Sequence, residues 1–328
     1  MIPIQEKKRE HRSIACFALA ARLLVPTSFF FFFFFFFFFF FQQQPRPPTS
    51  EEMHHILLIR HAECVMNLHL ATTIGGRAND SPLTRRGRAQ ATALGQRLAR
   101  LPEELRPRAL FASTAVRARE TAEAISRALR EEHGAAELPV QLREGLLEIE
   151  MGEWAGKDRK ATYTPEVLSA IRDRPLDFAA PGGESQREVE ERVARCIESE
   201  VLPAAAAEAA RRGGRSSSRN GETKPPHPAV VVAVVAHGVS IKTFLRRVLA
   251  SDPRGFAAAR NISLANTGVC EVAAATAKAQ DATDRERWHL IRINDAAHLE
   301  GLIGEVFDED AEEEEEEEVE ASSPRLDA

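Results

Sequence analysis

The chain of 328 residues is long enough for one large α/β domain or two small ones. Its hydrophobic content of 44% suits a packed globular protein rather than a disordered one. The formal net charge of −6 is uneven: residues 305–328 hold thirteen acids and one arginine, while residues 53–304 carry +4, which suits a small anionic ligand and gives no sign of a nucleic-acid partner.

Residues 1–52 stand apart from the rest. Lys7, Lys8, Arg9 and Arg12 precede an apolar stretch, Ile14 to Val25, broken by Arg22. Thirteen consecutive phenylalanines, Phe29 to Phe41, and then QQQPRPPTS follow. Leu23 to Phe41 is nineteen residues without a charge, long enough for a membrane helix with its basic flank on the cytoplasmic side. Two readings arise. One is an anchor or targeting segment through residues 23–41. The other is untranslated sequence carried into the chain, because phenylalanine codons are all pyrimidine and a pyrimidine tract followed by CAG precedes splice junctions. The second is expected, with Met53 as the start, since an exposed phenylalanine run would present a large contiguous apolar surface.

From Met53 onward, strands alternate with helices. Ile56 to Ile59 is a continuous apolar run, as in a parallel strand covered on both faces. The segment 81–101 predicts a helix with Thr84 as its N-cap and Ala89, Ala93, Leu94, Leu98 and Leu101 as its buried stripe. RALFAS (108–113) predicts a strand and residues 115–132 a helix. Residues 139–157 predict a strand or extended piece entering a glycine-containing loop. Helices are expected over 164–173 and 184–202, the second continuing through Ala204 to Ala210. Residues 211–228, rich in Gly, Ser and Pro, predict a flexible surface insertion. AVVVAVVAH (229–237) is the strongest strand in the chain and precedes a helix over 241–249. Strands follow over 266–276 and 287–295, and the acidic residues 305–328 form a disordered tail. Cys16, Cys64, Cys196 and Cys270 have no zinc spacing and suit reduced thiols in the cytoplasm.

In an open α/β sheet, ligands bind beyond the carboxyl ends of the strands. Three groups are expected there: Arg60 and His61 after the first strand, Ser113 to Arg117 after RALFAS, and His237 and Gly238 after the strongest strand. Two imidazoles and two guanidiniums on one rim suit a multiply charged anion with tetrahedral oxygens, phosphate above all. Glu148, on a separate loop, could fold over the same rim. A carboxyl beside a phosphate dianion has its ionised form disfavoured and so suits a general acid. Taken singly, each of these residues is as well explained by a structural role; the case rests on their convergence.

LLIRHAECVMN (57–67) resembles the signature of the histidine phosphatase superfamily, in its phosphoglycerate mutase-like branch: Arg60, His61, Glu63 and Asn67 match, with Ala62 for Gly and Cys64 for Thr or Ser. NDSPLTRRGRAQATALG (79–95), STAVRARETAEAI (113–125, with Ala115 for Leu), LLEIEMGEWAG (146–156, with Ala155 for Glu), PGGES (181–185) and VAHGVSIK (235–242) continue the resemblance in the same order, over about residues 56–295. It implies one three-layer α/β/α sandwich over residues 53–304 with a mostly parallel central sheet. It also implies His61 as a nucleophile that becomes phosphohistidine. Arg60, Arg117 and His237 would bind the phosphoryl group, supported by Asn67 and Gly238, and Glu148 would be proton donor and then base. These groups take the part a magnesium ion plays elsewhere, so no metal and no cofactor are implied. The expected activity is hydrolysis of a small phosphorylated substrate. The alternatives are phosphoglycerate mutase-type transfer and a non-catalytic phospho-ligand scaffold.

Overall fold

A computed structural model describes residues 53–134, 138–215, 229–249, 262–275 and 288–302. The phenylalanine run, the acidic tail and residues 216–228 of the expected insertion lie outside the described residues. Among the described residues, no helix is long and apolar enough to cross a membrane.

The described strands form one six-stranded sheet: β1 Met53–Arg60, β2 Pro107–Ser113, β3 Val140–Arg143, β4 Val231–Ala236, β5 Val269–Ala275 and β6 Trp288–Asp295. Their spatial order is β3-β2-β4-β1-β5-β6. The first four of that order are parallel neighbours, and β5 is antiparallel to both β1 and β6. The helices are α1 Val65–His69, α2 Arg85–Ala99, α3 Val116–His133, α4 Arg159–Thr162, α5 Pro165–Asp173, α6 Gln186–Cys196, α7 Leu202–Arg215 and α8 Gly238–Leu249.

The run Ile56 to Ile59 is apolar throughout because both sheet faces are covered. Ile56 and Leu58 pack with Val193 of α6, Ala205 of α7 and Phe244 of α8. Leu57 and Ile59 face the other way, onto Leu94 and Leu98 of α2 and Ile125 and Leu129 of α3. Three layers result, as expected. Each fully buried large side chain contributes about 2 kcal/mol relative to exposure.

Parallel register sets the site. Ile59 pairs with Val235 and Arg60 with Ala236, while Ala112 pairs with the same Val235 from the other side. The ends of β2, β4 and β1 therefore lie level, and Ser113, His237 and His61 emerge side by side.

Several expectations are corrected. The buried stripe of α2 is Gly87, Gln90, Ala91, Leu94, Gly95, Leu98 and Ala99; Ala89, Ala93 and Leu101 are only half-buried. The stripe turns toward the glycines because they allow close backbone approach. Residues 211–215, expected in the flexible insertion, continue α7. Between α6 and α7 the chain makes a π turn, Ile197–Val201, where the Leu202 N–H bonds to Ile197 O. The wider turn precedes Pro203, whose ring lacks an N–H and crowds the carbonyl four residues back. Only Val140–Arg143 of the extended piece is strand; single 3-10 turns follow at Glu144–Leu146 and Gly152–Trp154. The strand expected from 266 begins at Val269, because Asn266 and Thr267 form a turn in which Thr267 has φ of 56°.

Candidate active site

β1 delivers Arg60 and His61 to the rim. The His61 N–H donates to Ala236 O at 2.9 Å, tying it to the end of β4. Its ring Nδ1 lies 2.7 Å from Ala62 O, so Nδ1 carries the proton and Nε2 keeps its lone pair. Arg60 Nη1 donates to Leu264 O at 2.7 Å, and its Nε is buried without a hydrogen-bond partner among the described residues. The chain after His61 is fixed by the Ala62 N–H donating to Thr121 Oγ1 and the Glu63 N–H to Gln90 Oε1, both at 3.0 Å.

Arg117, in the first turn of α3, is 4% exposed. Its Nη1 donates to Asp80 Oδ1 at 3.1 Å. Asp80 also accepts the Val116 N–H at 2.9 Å and so caps a helix whose own N-cap, Ala115, has no capping side chain. His237 is fully buried, its ring centroid 5.2 Å from that of His61. Its Nε2 is 2.8 Å from Ser113 Oγ, and its Nδ1 has no hydrogen-bond partner among the described residues.

Glu148 reaches the rim from its own loop. Its carboxylate accepts N–H bonds from Ile149 (2.9 Å), Val239 (3.1 Å) and Ser240 (3.3 Å), the last two in the first turn of α8. The helix N-terminus supplies both unpaired amides and a favourable dipole. Its backbone oxygen is approached by Arg77 Nε and Arg192 Nη2, both at 3.4 Å, and Glu184 Oε2 bridges those two guanidiniums. Gly238 lies between the cation and the carboxylate: a Cβ there would be 3.8 Å from both Arg60 Nε and Glu148 Oε2. Asn67 Oδ1 accepts the Cys64 N–H and the Asn266 side-chain amide, each at 3.1 Å, so its own NH₂ is the remaining polar group.

The electrostatics follow from burial among cations. Burial, then Arg117 and Arg60, hold His61 well below its ordinary 6.5, opposed by the bond to Ala62 O. Burial, Arg117, His61 and Arg192 do the same to His237. Arg60 is lowered by burial, against the pull of Glu148. The site thus combines two neutral imidazoles, two guanidiniums and one carboxyl group. It offers a nucleophilic nitrogen, donors for a charged oxygen group and a carboxyl for proton movement.

All seven residues expected from the sequence, Arg60, His61, Asn67, Arg117, Glu148, His237 and Gly238, lie on this rim. The sequence reading placed Ser113 at this rim without a role of its own and gave none to Asp80, Asn266, Arg77, Glu184 or Arg192, and these six hold the others in place. Asp80, Ser113 and Glu184 stood within the quoted motifs, but the contacts that employ them are distant in sequence.

The family model for the histidine phosphatase superfamily, branch 1, matches residues 56–295. A 2,3-bisphosphoglycerate-dependent phosphoglycerate mutase of Methylobacterium radiotolerans is 32% identical over 151 residues, 45% of this chain and 66% of that protein. The chain therefore spans just under two thirds of that curated relative. Among solved structures, a mycobacterial glucosyl-3-phosphoglycerate phosphatase aligns with a TM-score of 0.53 at 23% identity, over 74% of this chain and 99% of the other. A Bacillus anthracis phosphoglycerate mutase aligns with a TM-score of 0.52 at 20% identity, over 76% and 96%. These two likenesses bear on the fold alone.

Proposed function

The chain belongs to the histidine phosphatase superfamily, and from that premise we propose that it hydrolyses a small phosphomonoester through a phosphohistidine at His61. The observation that carries this reading is the pair of buried polar nitrogens, Arg60 Nε and His237 Nδ1, that have no hydrogen-bond partner among the described residues, beside a histidine whose Nδ1 is already engaged. A phosphoryl group would satisfy both.

In the first step the His61 Nε2 lone pair forms a bond to phosphorus and the ester P–O bond breaks. The leaving oxygen takes a proton from Glu148, which enters this step as the carboxylic acid. In the second step the Glu148 carboxylate takes a proton from water, the water oxygen bonds to phosphorus, and the N–P bond breaks to release inorganic phosphate. Arg60, Arg117 and the His237 N–H would meet the charge on the equatorial oxygens, with Asn67 at the margin. These groups leave no step that requires a metal.

Mutase-type transfer uses the same residues, and the similarity to the Methylobacterium phosphoglycerate mutase is the observation in its favour. Hydrolysis is preferred because Gly156 to Pro181 is short and holds five bases, of which Arg159 is turned to Leu70 O and the Tyr163 ring. A mutase must hold the phosphoryl donor closed against water. The third reading, a scaffold without turnover, sits poorly with an intact set of reactive groups.

The test is a panel of phosphorylated metabolites assayed for phosphate release and, in parallel, for phosphoglycerate isomerisation, with and without EDTA. Hydrolysis that survives EDTA, with labelled phosphate trapped as an acid-labile, base-stable adduct lost in His61→Ala, is the expected result. His61→Ala retaining more than about a tenth of activity would exclude the covalent route.

A further inference from the structure

His237 raises a question of proton bookkeeping. Buried among Arg117, His61, Arg192 and Arg60, its ring is neutral at neutral pH. A neutral imidazole has one N–H and two nitrogens. If Nε2 holds the proton, it points at Ser113 Oγ, and Nδ1 turns a lone pair toward an incoming anion. If Nδ1 holds it, the site gains a donor.

Ser113 decides between these states. It ends β2 with no solvent exposure. Its Oγ already accepts the Ala115 N–H at 3.3 Å, and His237 Nε2 is 2.8 Å away. Were the hydroxyl also to accept from Nε2, its own hydrogen would be buried with no acceptor among the hydrogen bonds of the described residues. Donation to Nε2 satisfies the hydroxyl and the ring nitrogen together. The Ala115 amide, at the head of the helix that carries Arg117, thereby orients the hydroxyl.

We propose that Ser113 is a positioning residue whose hydroxyl donates to Nε2 of His237, holding that ring as the Nδ1–H tautomer with its one N–H directed to the phosphoryl group. The inference rests on the reading of this rim as a phosphoryl site. It makes a β2 side chain, which touches no substrate, responsible for the sign of the contact that His237 offers.

The experiment is long-range proton–nitrogen NMR on the full chain with labelled histidine rings, His237 being assigned by its absence in His237→Gln. Vanadate binding and phosphoenzyme trapping are measured on the same samples. The wild type is expected to show neutral His237 as Nδ1–H. Ser113→Ala should shift it toward Nε2–H, the favoured tautomer of free imidazole, and weaken vanadate about tenfold. Ser113→Thr, which keeps the hydroxyl, should restore the wild-type tautomer and affinity. If that bulkier variant does not fold, the wild-type and Ser113→Ala spectra decide the matter alone. Nε2–H in the wild type, or a Ser113→Ala protein with unchanged tautomer and vanadate affinity, overturns the proposal while phosphohistidine trapping leaves the proposed function standing. Absence of any adduct in the wild type overturns the proposed function instead, whatever the tautomer.

Discussion

At His61 one hydrogen bond and two charges act on the same ring. The bond to Ala62 O places the proton on Nδ1, and burial beside Arg117 and Arg60 keeps a second proton away. On the proposed mechanism the nucleophile therefore stays competent in acid. The pH profile of kcat/KM should show no loss attributable to His61 at its ordinary 6.5, and the acid limb should lie well below that value. An acid limb centred at 6.5 that persists for a substrate already doubly ionised there would contradict the geometry. Glu148 is tested through its leaving group. Glu148→Gln should slow alkyl phosphates by roughly 10²–10⁴, yet cost far less with nitrophenyl phosphate, whose leaving oxygen needs no proton. Equal losses on both substrates would reduce Glu148 to its observed contact, the cap on the first turn of α8.

At the level of elements, the site depends on how α2 and α3 approach the chain after β1. Thr84 caps α2, accepting the Gly87 N–H at 2.9 Å, and its own Oγ1 donates to Glu63 Oε1 at 2.9 Å. Gly87 then lies directly against the Glu63 backbone, where a Cβ would overlap the Glu63 carbonyl oxygen. The Cβ position is fixed by the Gly87 backbone and the carbonyl is backbone itself, so neither can rotate away. Gly87→Ala should cost about 3 kcal/mol and displace the segment that carries His61. Gly134 is the control. It ends α3 with φ of 56° and nothing within 4 Å of a Cβ, so Gly134→Ala should cost about 1 kcal/mol with turnover unchanged. Urea midpoints and kcat on both variants check this; equal destabilisation would show that the approach of α2 is not tight.

For the molecule as a whole, acid works against the folded state through two kinds of group. His61 and His237 are held neutral, so below 6.5 the unfolded chain binds protons that the native one refuses, and stability falls with pH. His298, lowered to about 4 by burial and Arg97, adds to the same window. Carboxylates act lower down. Asp295 is depressed by its paired bonds to Arg97, and Glu184 and Glu271 are depressed because their arginine and histidine partners outweigh burial. Their contribution is complete above the ordinary carboxylate range and is lost as pH falls from that range through their lowered native values. Urea midpoints at about pH 7.5, 5.5 and 3.5 should therefore decline in two stages. A flat response between the first two would mean that the buried histidines are not held neutral.

The sequence by itself determined the candidate site residues and the layers. Ile56 to Ile59 and Val230 to Ala236 are unbroken apolar runs, followed by Arg60 and by His237, polar groups that need a partner when buried. Apolar run and polar end are neighbours in the chain, so both could be read from it. The partners that hold those ends could not. Asp80 meets Arg117 across 37 residues, Ser113 meets His237 across 124, and Asn266 meets Asn67 across 199. Those meetings come from the tertiary arrangement: parallel register brings β2 and β4 to the same level, and the turn before β5 folds back onto the end of β1. Glu148 shows the same division. Its presence near the rim was expected, but only the packing of its loop on α8 decided that its oxygens would lie on the amides of Val239 and Ser240, 3.8 Å from a Cβ at Gly238. A hydrogen bond is selected by position in space, and position at a strand end is fixed by pairing with strands far away in the chain.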